Sequence, residues 1–249
     1  SPYVAIGIVI LVMFVIIAIV KMPKNADQNH SINFIPTLRR IFGIPRYREG
    51  VIAQFFYVGA QIMCWTFIIH YGTRYFMSTG MGEQEAEVLS NQYNRVAMIL
   101  FIVARFISTF LMRYVRPGKL LMFFAVGGFA LVLGVIGFQS ILGLYCLVGA
   151  SFFMSLMFPT IYGIALEGLD EEESKIGAAG LVMAIVGGAL MPKLQGIVID
   201  AGGSGVSDIT IAGVSEVNFS FILPLLCFVY ISWYGYKVYK RYELDHQMA

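Results

Sequence analysis

Charge is scarce in this chain. Lysine, arginine, aspartate and glutamate make up 13% of its 249 residues, where soluble domains carry about 25%. Cysteine and histidine are scarcer, with three of each. Cys64, Cys146 and Cys227 stand singly inside apolar runs, without CxxC spacing, which argues against a disulfide framework or a thiolate metal site. His30, His70 and His246 lie far apart in the chain. No HExxH, GxSxG or phosphate loop occurs, and no pair of carboxylates falls within an apolar run. An enzyme is therefore not expected, and neither a metal nor a cofactor. The net charge of +2 says nothing about nucleic acid, and no nucleic acid is expected as a partner.

Apolar length takes the place of charge. Hydrophobic residues are 58% of the sequence. They gather into seven runs, at residues 2–20, 51–71, 96–112, 120–137, 142–166, 176–199 and 217–236. Each is near the ~20 residues that cross a bilayer core as a helix, the third and fourth being somewhat short. Hydrocarbon offers backbone N–H and C=O groups no partner, so the runs must pair them internally, as helices. The expected fold is all-α: a polytopic transmembrane bundle of seven spans in a lipid bilayer.

The basic residues orient it. Lys21, Lys24, Arg39, Arg40, Arg46, Arg48, Arg113, Arg116, Lys119, Lys175, Lys237, Lys240 and Arg241 would share one side, thirteen of seventeen. The positive-inside rule makes that side cytoplasmic, linker and C-terminus included. Asp170, Glu171, Glu172 and Glu173 fall there too, but acidic residues contribute little to the rule. In the linker, Phe34, Leu38, Ile41 and Phe42 share a helical face. Pro36 suits an early turn and Gly43 a stop, so a short helix at the membrane surface is expected, a partner-protein site being the alternative. The chain begins at Ser1 and enters an apolar run at once, with no charged segment that a signal peptide would need. One span, a long basic linker and six more spans match the second half of a twelve-span carrier. Residues 1–20 would be the sixth helix of a missing N-terminal half, 21–50 the linker and 51–249 the C-terminal six-helix bundle.

Small residues mark where helices meet: Gly180, Ala184 and Gly188 at spacings of four, and Gly127 and Gly134 at seven. The glycine-rich loop at 200–215 is read as flexible, without a site. The second run holds the most chemistry. Gln54 and Gln61 are seven apart and share a face, with Tyr57 and Trp65 four residues to either side of Gln61. A carboxamide has donors and an acceptor for vicinal hydroxyls, and an aromatic ring covers the apolar face of a pyranose. This stripe is a candidate sugar-binding wall; the alternative is helix packing. In the fifth run Pro159 interrupts the helix, with Thr160 and Tyr162 supplying hydroxyls, and Pro192 interrupts the sixth. Arg105 and Glu167 are expected at one depth near the inner side, where a bond between them would latch a gate, if it is not a static pair. Lys193 could snorkel or approach Asp200.

The string Phe56-Tyr57-Val58-Gly59-Ala60-Gln61, followed by Trp65 and Phe67, resembles the seventh span of the L-fucose:proton symporters of the major facilitator superfamily. Arg105-Phe106-Ile107-Ser108-Thr109, then Arg113 and Pro117-Gly118-Lys119, resembles the eighth span and the motif after it, and Phe158-Pro159-Thr160-Ile161 resembles the tenth. Glucose/galactose relatives typically carry Glu where Gln61 stands, so Gln61 and Trp65 favour the fucose branch. Ala104 replaces the usual Gly before Arg105, and Phe158 stands where some relatives have Tyr. The resemblance implies twelve helices in two bundles, alternating access, a monosaccharide substrate, a proton as coupling ion and a bacterial inner membrane. In that family the acidic proton carriers lie in the first half, so the 249 residues are expected not to transport alone. The other readings are a carrier for another hexose, such as glucose or galactose, or another small polar solute, and a non-transport membrane protein.

Overall fold

A computed structural model describes residues 2–19, 34–200, 210–211 and 213–247. The chain falls into two compact units, divided after Asn33. The first is helix α1 (Pro2–Ile19), eighteen residues without one charge, its described apolar side chains exposed. Lys21, Lys24 and His30 lie outside the described residues, as do Gly202, Gly203 and Gly205.

The second unit begins with α2 (Phe34–Gly43) and contains six helical columns long and apolar enough to cross a membrane. In chain order they are α3 (Pro45–Ser78), α4 (Glu83–Leu111), α5 (Pro117–Gly137), α6 and α7 (Ile141–Met154 and Met157–Leu166), α8 and α9 (Glu171–Met183 and Gly187–Ile199), and α10 and α11 (Glu216–Ser220 and Ile222–Gln247). That is six such helices where seven spans are expected from sequence. The apolar stretch in α1, Gly7–Ile17, is shorter than the others. The helices also outrun the apolar runs. Glu83, Glu85 and Glu87 open α4 well before Val96, because hydropathy measures the lipid depth while the backbone ladder continues into water. Between α9 and α10, strands β1 (Thr210–Ile211) and β2 (Val214–Ser215) pair antiparallel around Gly213, whose φ of 82° suits glycine. The loop read as flexible thus carries a small hairpin, the one departure from an all-helical fold among the described residues.

Helix α3 is the centre, packed by α4, α6, α7, α9 and α11. Small residues make the approaches, as their spacing suggests. Gly188 faces Val58 and Ile62, Gly59 faces Met191, and Gly134 faces Cys146. Gly118 and Gly235 bring the backbones of α5 and α11 together: a Cβ on Gly235 would lie 2.8 Å from the Met122 nitrogen.

The α2 helix does not lie on lipid with its whole apolar face, as its pattern suggests. Ile41 is fully buried and packs with Tyr47, Ala165, Ile176 and Leu181, with Leu38 beside them. Ile35 and Phe42 stay exposed. Arg40 fastens the helix to the start of α8, its Nε 2.6 Å from Glu173. Glu173 also closes a capping box with Asp170, whose side chain accepts from the Glu173 N–H at 2.7 Å. The acidic run that looked out of place on the basic side therefore caps α8 and docks α2. Asp170→Ala is expected to cost about 1 kcal/mol through the lost cap. Arg40→Ala leaves the buried Glu173 carboxylate without its cation, and should cost about 1–3 kcal/mol and speed tryptic cleavage at Arg39. Thermal melting and limited proteolysis in detergent measure the two.

Candidate functional site

The site grows from a broken helix. Pro159 has no N–H to give the Ser155 carbonyl four residues back. The helical path is interrupted at Ser155–Leu156, and Pro159 sits in the first turn of α7, where proline is tolerated. Arg105 of α4 takes the freed carbonyl, donating from Nε at 3.3 Å. The Ser155 hydroxyl donates to Phe152 O at 2.8 Å and lies 3.3 Å from the Ser108 hydroxyl.

One turn along α6, buried Ser151 accepts the indole N–H of Trp65 at 3.2 Å. The Trp65 ring meets Phe101 edge to face at 5.0 Å, and Arg105 lies over that same Phe101, 5.3 Å from its centroid. Trp65, Ser151, Ser155, Arg105 and Phe101 thus form a closed circuit joining α3, α4 and α6. Below it Phe158 stacks with Tyr162 at 6.4 Å and meets Tyr57 at 6.2 Å.

The structure divides the residues singled out from the sequence. Gln61 and Trp65 are half-buried, as is Tyr162. Arg105 and Pro159 are exposed. Gln54 and Tyr57 are fully buried in this structure, unlike Gln61. The Tyr57 hydroxyl is used up on Met154 O at 2.9 Å. Neither polar atom of the Gln54 amide has a hydrogen-bond partner among the described residues. Thr160 is buried as well, its hydroxyl turned back on Leu156 O at 2.9 Å. The expected bond between Arg105 and Glu167 is not formed. Glu167 pairs instead with Arg46, at 3.5 Å, and accepts the Tyr242 hydroxyl. It lines a cleft of about 200 Å³ with Met112, Pro117, Pro159, Thr160 and Tyr242. Lys193 is exposed and, among the described residues, pairs with no acid.

Sequence reading missed two features. Glu216 is a buried carboxylate, 2.7 Å from Arg74. It lies in a polar stretch before the last apolar run, and a partner 142 residues away leaves no local signal. Ser151 looks like an ordinary small residue in a packed helix until Trp65 is seen upon it. Among the described residues no cluster of histidine, cysteine or carboxylates could hold a metal.

Six helical columns, with α3 at their centre, set an indole and an arginine beside a broken helix. No family model matches the chain. It is 52% identical over 241 residues to the L-fucose-proton symporter of Haemophilus influenzae, covering 96% of this chain and 53% of that protein. It is 30% identical over 235 residues to the Escherichia coli L-fucose-proton symporter, covering 93% and 49%. A putative glucose/galactose transporter of Helicobacter pylori is 29% identical over 247 residues, covering 97% and 55%. The crystal structure of an E. coli fucose:proton symporter variant superposes with a TM-score of 0.77 at 28% identity, covering 96% of this chain and 54% of that one. The chain spans about half the length of the relatives it matches. Over nearly all its own length it resembles the C-terminal half of the fucose permease family of the major facilitator superfamily. The relatives named here are transporters, not enzymes.

Proposed function

We propose that the chain is the sugar-handling second half of a secondary carrier that moves L-fucose with a proton by alternating access. The observation that carries this reading is the 52% identity to an L-fucose-proton symporter, against 29% to a glucose/galactose transporter. The geometry agrees with it. Gln61 offers an amide and Trp65 a ring face to a deoxyhexose, with Tyr162 beside Phe158 at the second wall. The indole N–H is held by Ser151, so Trp65 contributes surface rather than a hydrogen bond. Arg105 and Pro159 make the moving part: the guanidinium holds the Ser155 carbonyl in this state, and its release lets α6 bend against α7.

In this reading α1 is the sixth helix of the preceding half and a seventh crossing, since eighteen residues at 1.5 Å each span about 27 Å. The linker and C-terminus face the cytoplasm of a bacterium, and the bundle sits in its inner membrane, as the basic residues indicate. The proton site belongs to the preceding half. Glu216 is already paired with Arg74.

Uptake of labelled L-fucose by cells producing the full-length carrier, with alkalinisation of the medium as sugar enters, tests the proposal. Uptake of glucose or galactose in preference to L-fucose, or L-fucose uptake without proton movement, would overturn it. Proteoliposomes holding only these 249 residues are expected to show no sugar uptake above empty vesicles.

A further inference from the structure

The last four turns of α11 carry a feature that sugar transport does not use. Trp233, Tyr236, Lys237, Lys240, Arg241 and Leu244 line a shallow cavity of about 420 Å³. They sit at helical spacings of three and four, so they share one face. Above them the same face continues as exposed Leu226 and Val229. Lys237 is already neutralised by Glu49 and lies 5.0 Å over the Trp233 ring. That ring stands 5.4 Å from Tyr230, which meets Phe56 of α3 at 5.2 Å, so the floor is packed against α3. Lys240 and Arg241 are exposed and have no acidic partner among the described residues.

Depth supplies the chemistry. With Trp233 at the hydrocarbon edge, Lys240 lies about 10 Å farther out at 1.5 Å per residue, at the level of lipid phosphates. Leu226 lies as far inward, where an acyl chain runs. A phosphoglycerol head of roughly ten heavy atoms, at about 30 Å³ each, needs some 300 Å³ and fits the cavity. We propose that this face binds an anionic glycerophospholipid. Its phosphate would lie between Lys240 and Arg241, its glycerol on Lys237 and Tyr236, and an acyl chain along Trp233, Val229 and Leu226. Two unmatched cations select a net negative head over a zwitterionic one.

The chain has two tryptophans, so Trp65→Phe leaves Trp233 as the reporter. In vesicles, brominated phosphatidylglycerol should quench Trp233 with about fivefold higher apparent affinity than brominated phosphatidylethanolamine. Lys240→Ala with Arg241→Ala should abolish the preference, and Arg113→Ala with Arg116→Ala, which removes two cations elsewhere on the same side, should leave it intact. Should Trp65→Phe fail to fold, the same comparison in the unsubstituted chain carries the test over a constant Trp65 background. Equal quenching by both lipids, no quenching by either, or a preference that survives the double alanine change overturns the proposal. So does loss of the preference in the Arg113/Arg116 pair, which would mark general charge attraction. Loss of it to inorganic phosphate but not to chloride of equal ionic strength would mark a free-phosphate site, and also overturns it.

Discussion

Gly235→Ala is expected to destabilise the bundle while the same change at Gly196 does not. The added Cβ at 235 would lie 2.8 Å from Met122 N, 3.0 Å from Met122 Cα and 3.3 Å from Gly118 O. All three are backbone atoms, so no rotamer change makes room and α5 must move away from α11. Overpacking of this kind costs about 1–3 kcal/mol, which lowers the midpoint of a domain this size by about 2–12 °C. A Cβ at Gly196 meets nothing within 4 Å. There the residue gains helix propensity, and a change between zero and about +1 kcal/mol is expected. Melting of the two variants in one detergent checks both signs. A harmless Gly235→Ala would mean the two helices are not in backbone contact.

Gln61→Ala and Gln54→Met should separate the two ends of the glutamine stripe. Gln61 is the half-exposed end. Losing its hydrogen bonds to sugar hydroxyls should weaken L-fucose binding by the full-length carrier about tenfold. Gln54 is fully buried with both amide atoms unpaired. Methionine has nearly its shape and no such atoms, so Gln54→Met should raise stability by about 1 kcal/mol or more and leave sugar affinity within about twofold. Calorimetric titration and thermal melting on the same preparations read both quantities. Loss of binding in Gln54→Met with Gln61→Ala unaffected would reverse the assignment.

The two glutamines also mark what the sequence could and could not tell. The helices were legible because lipid imposes a minimum apolar length on each, and the docking glycines because their spacing is local. Gln54 and Gln61 differ by only about 20° around α3, and periodicity cannot divide them. What divides them is the neighbour at each depth, and α6 and α7 follow α3 by about a hundred residues. The same holds for Glu167. Its charge near a span end was visible, but Arg46 lies 121 residues away and competes with Arg105 for it. The face of α2 was read correctly as apolar, and only the fold shows that Tyr47 and Ile176 cover part of it. The small hairpin at Gly213 left a weak trace in a glycine-rich stretch.

Three of the six columns lack a continuous hydrogen-bond ladder: α6 ends before α7 at Ser155–Leu156, α8 passes to α9 through a 3₁₀ turn at Ala184–Val186, and α10 ends before α11 at Phe221. A rod with an unbroken ladder resists flexing, since any kink sacrifices bonds that hydrocarbon cannot replace. A rod already jointed can flex at its joint and sacrifice none. All three jointed columns rest on α3, which runs unbroken for 34 residues. The assembly therefore has a stiff spine with three compliant ribs, and elastic deformation of the bundle should concentrate in the ribs.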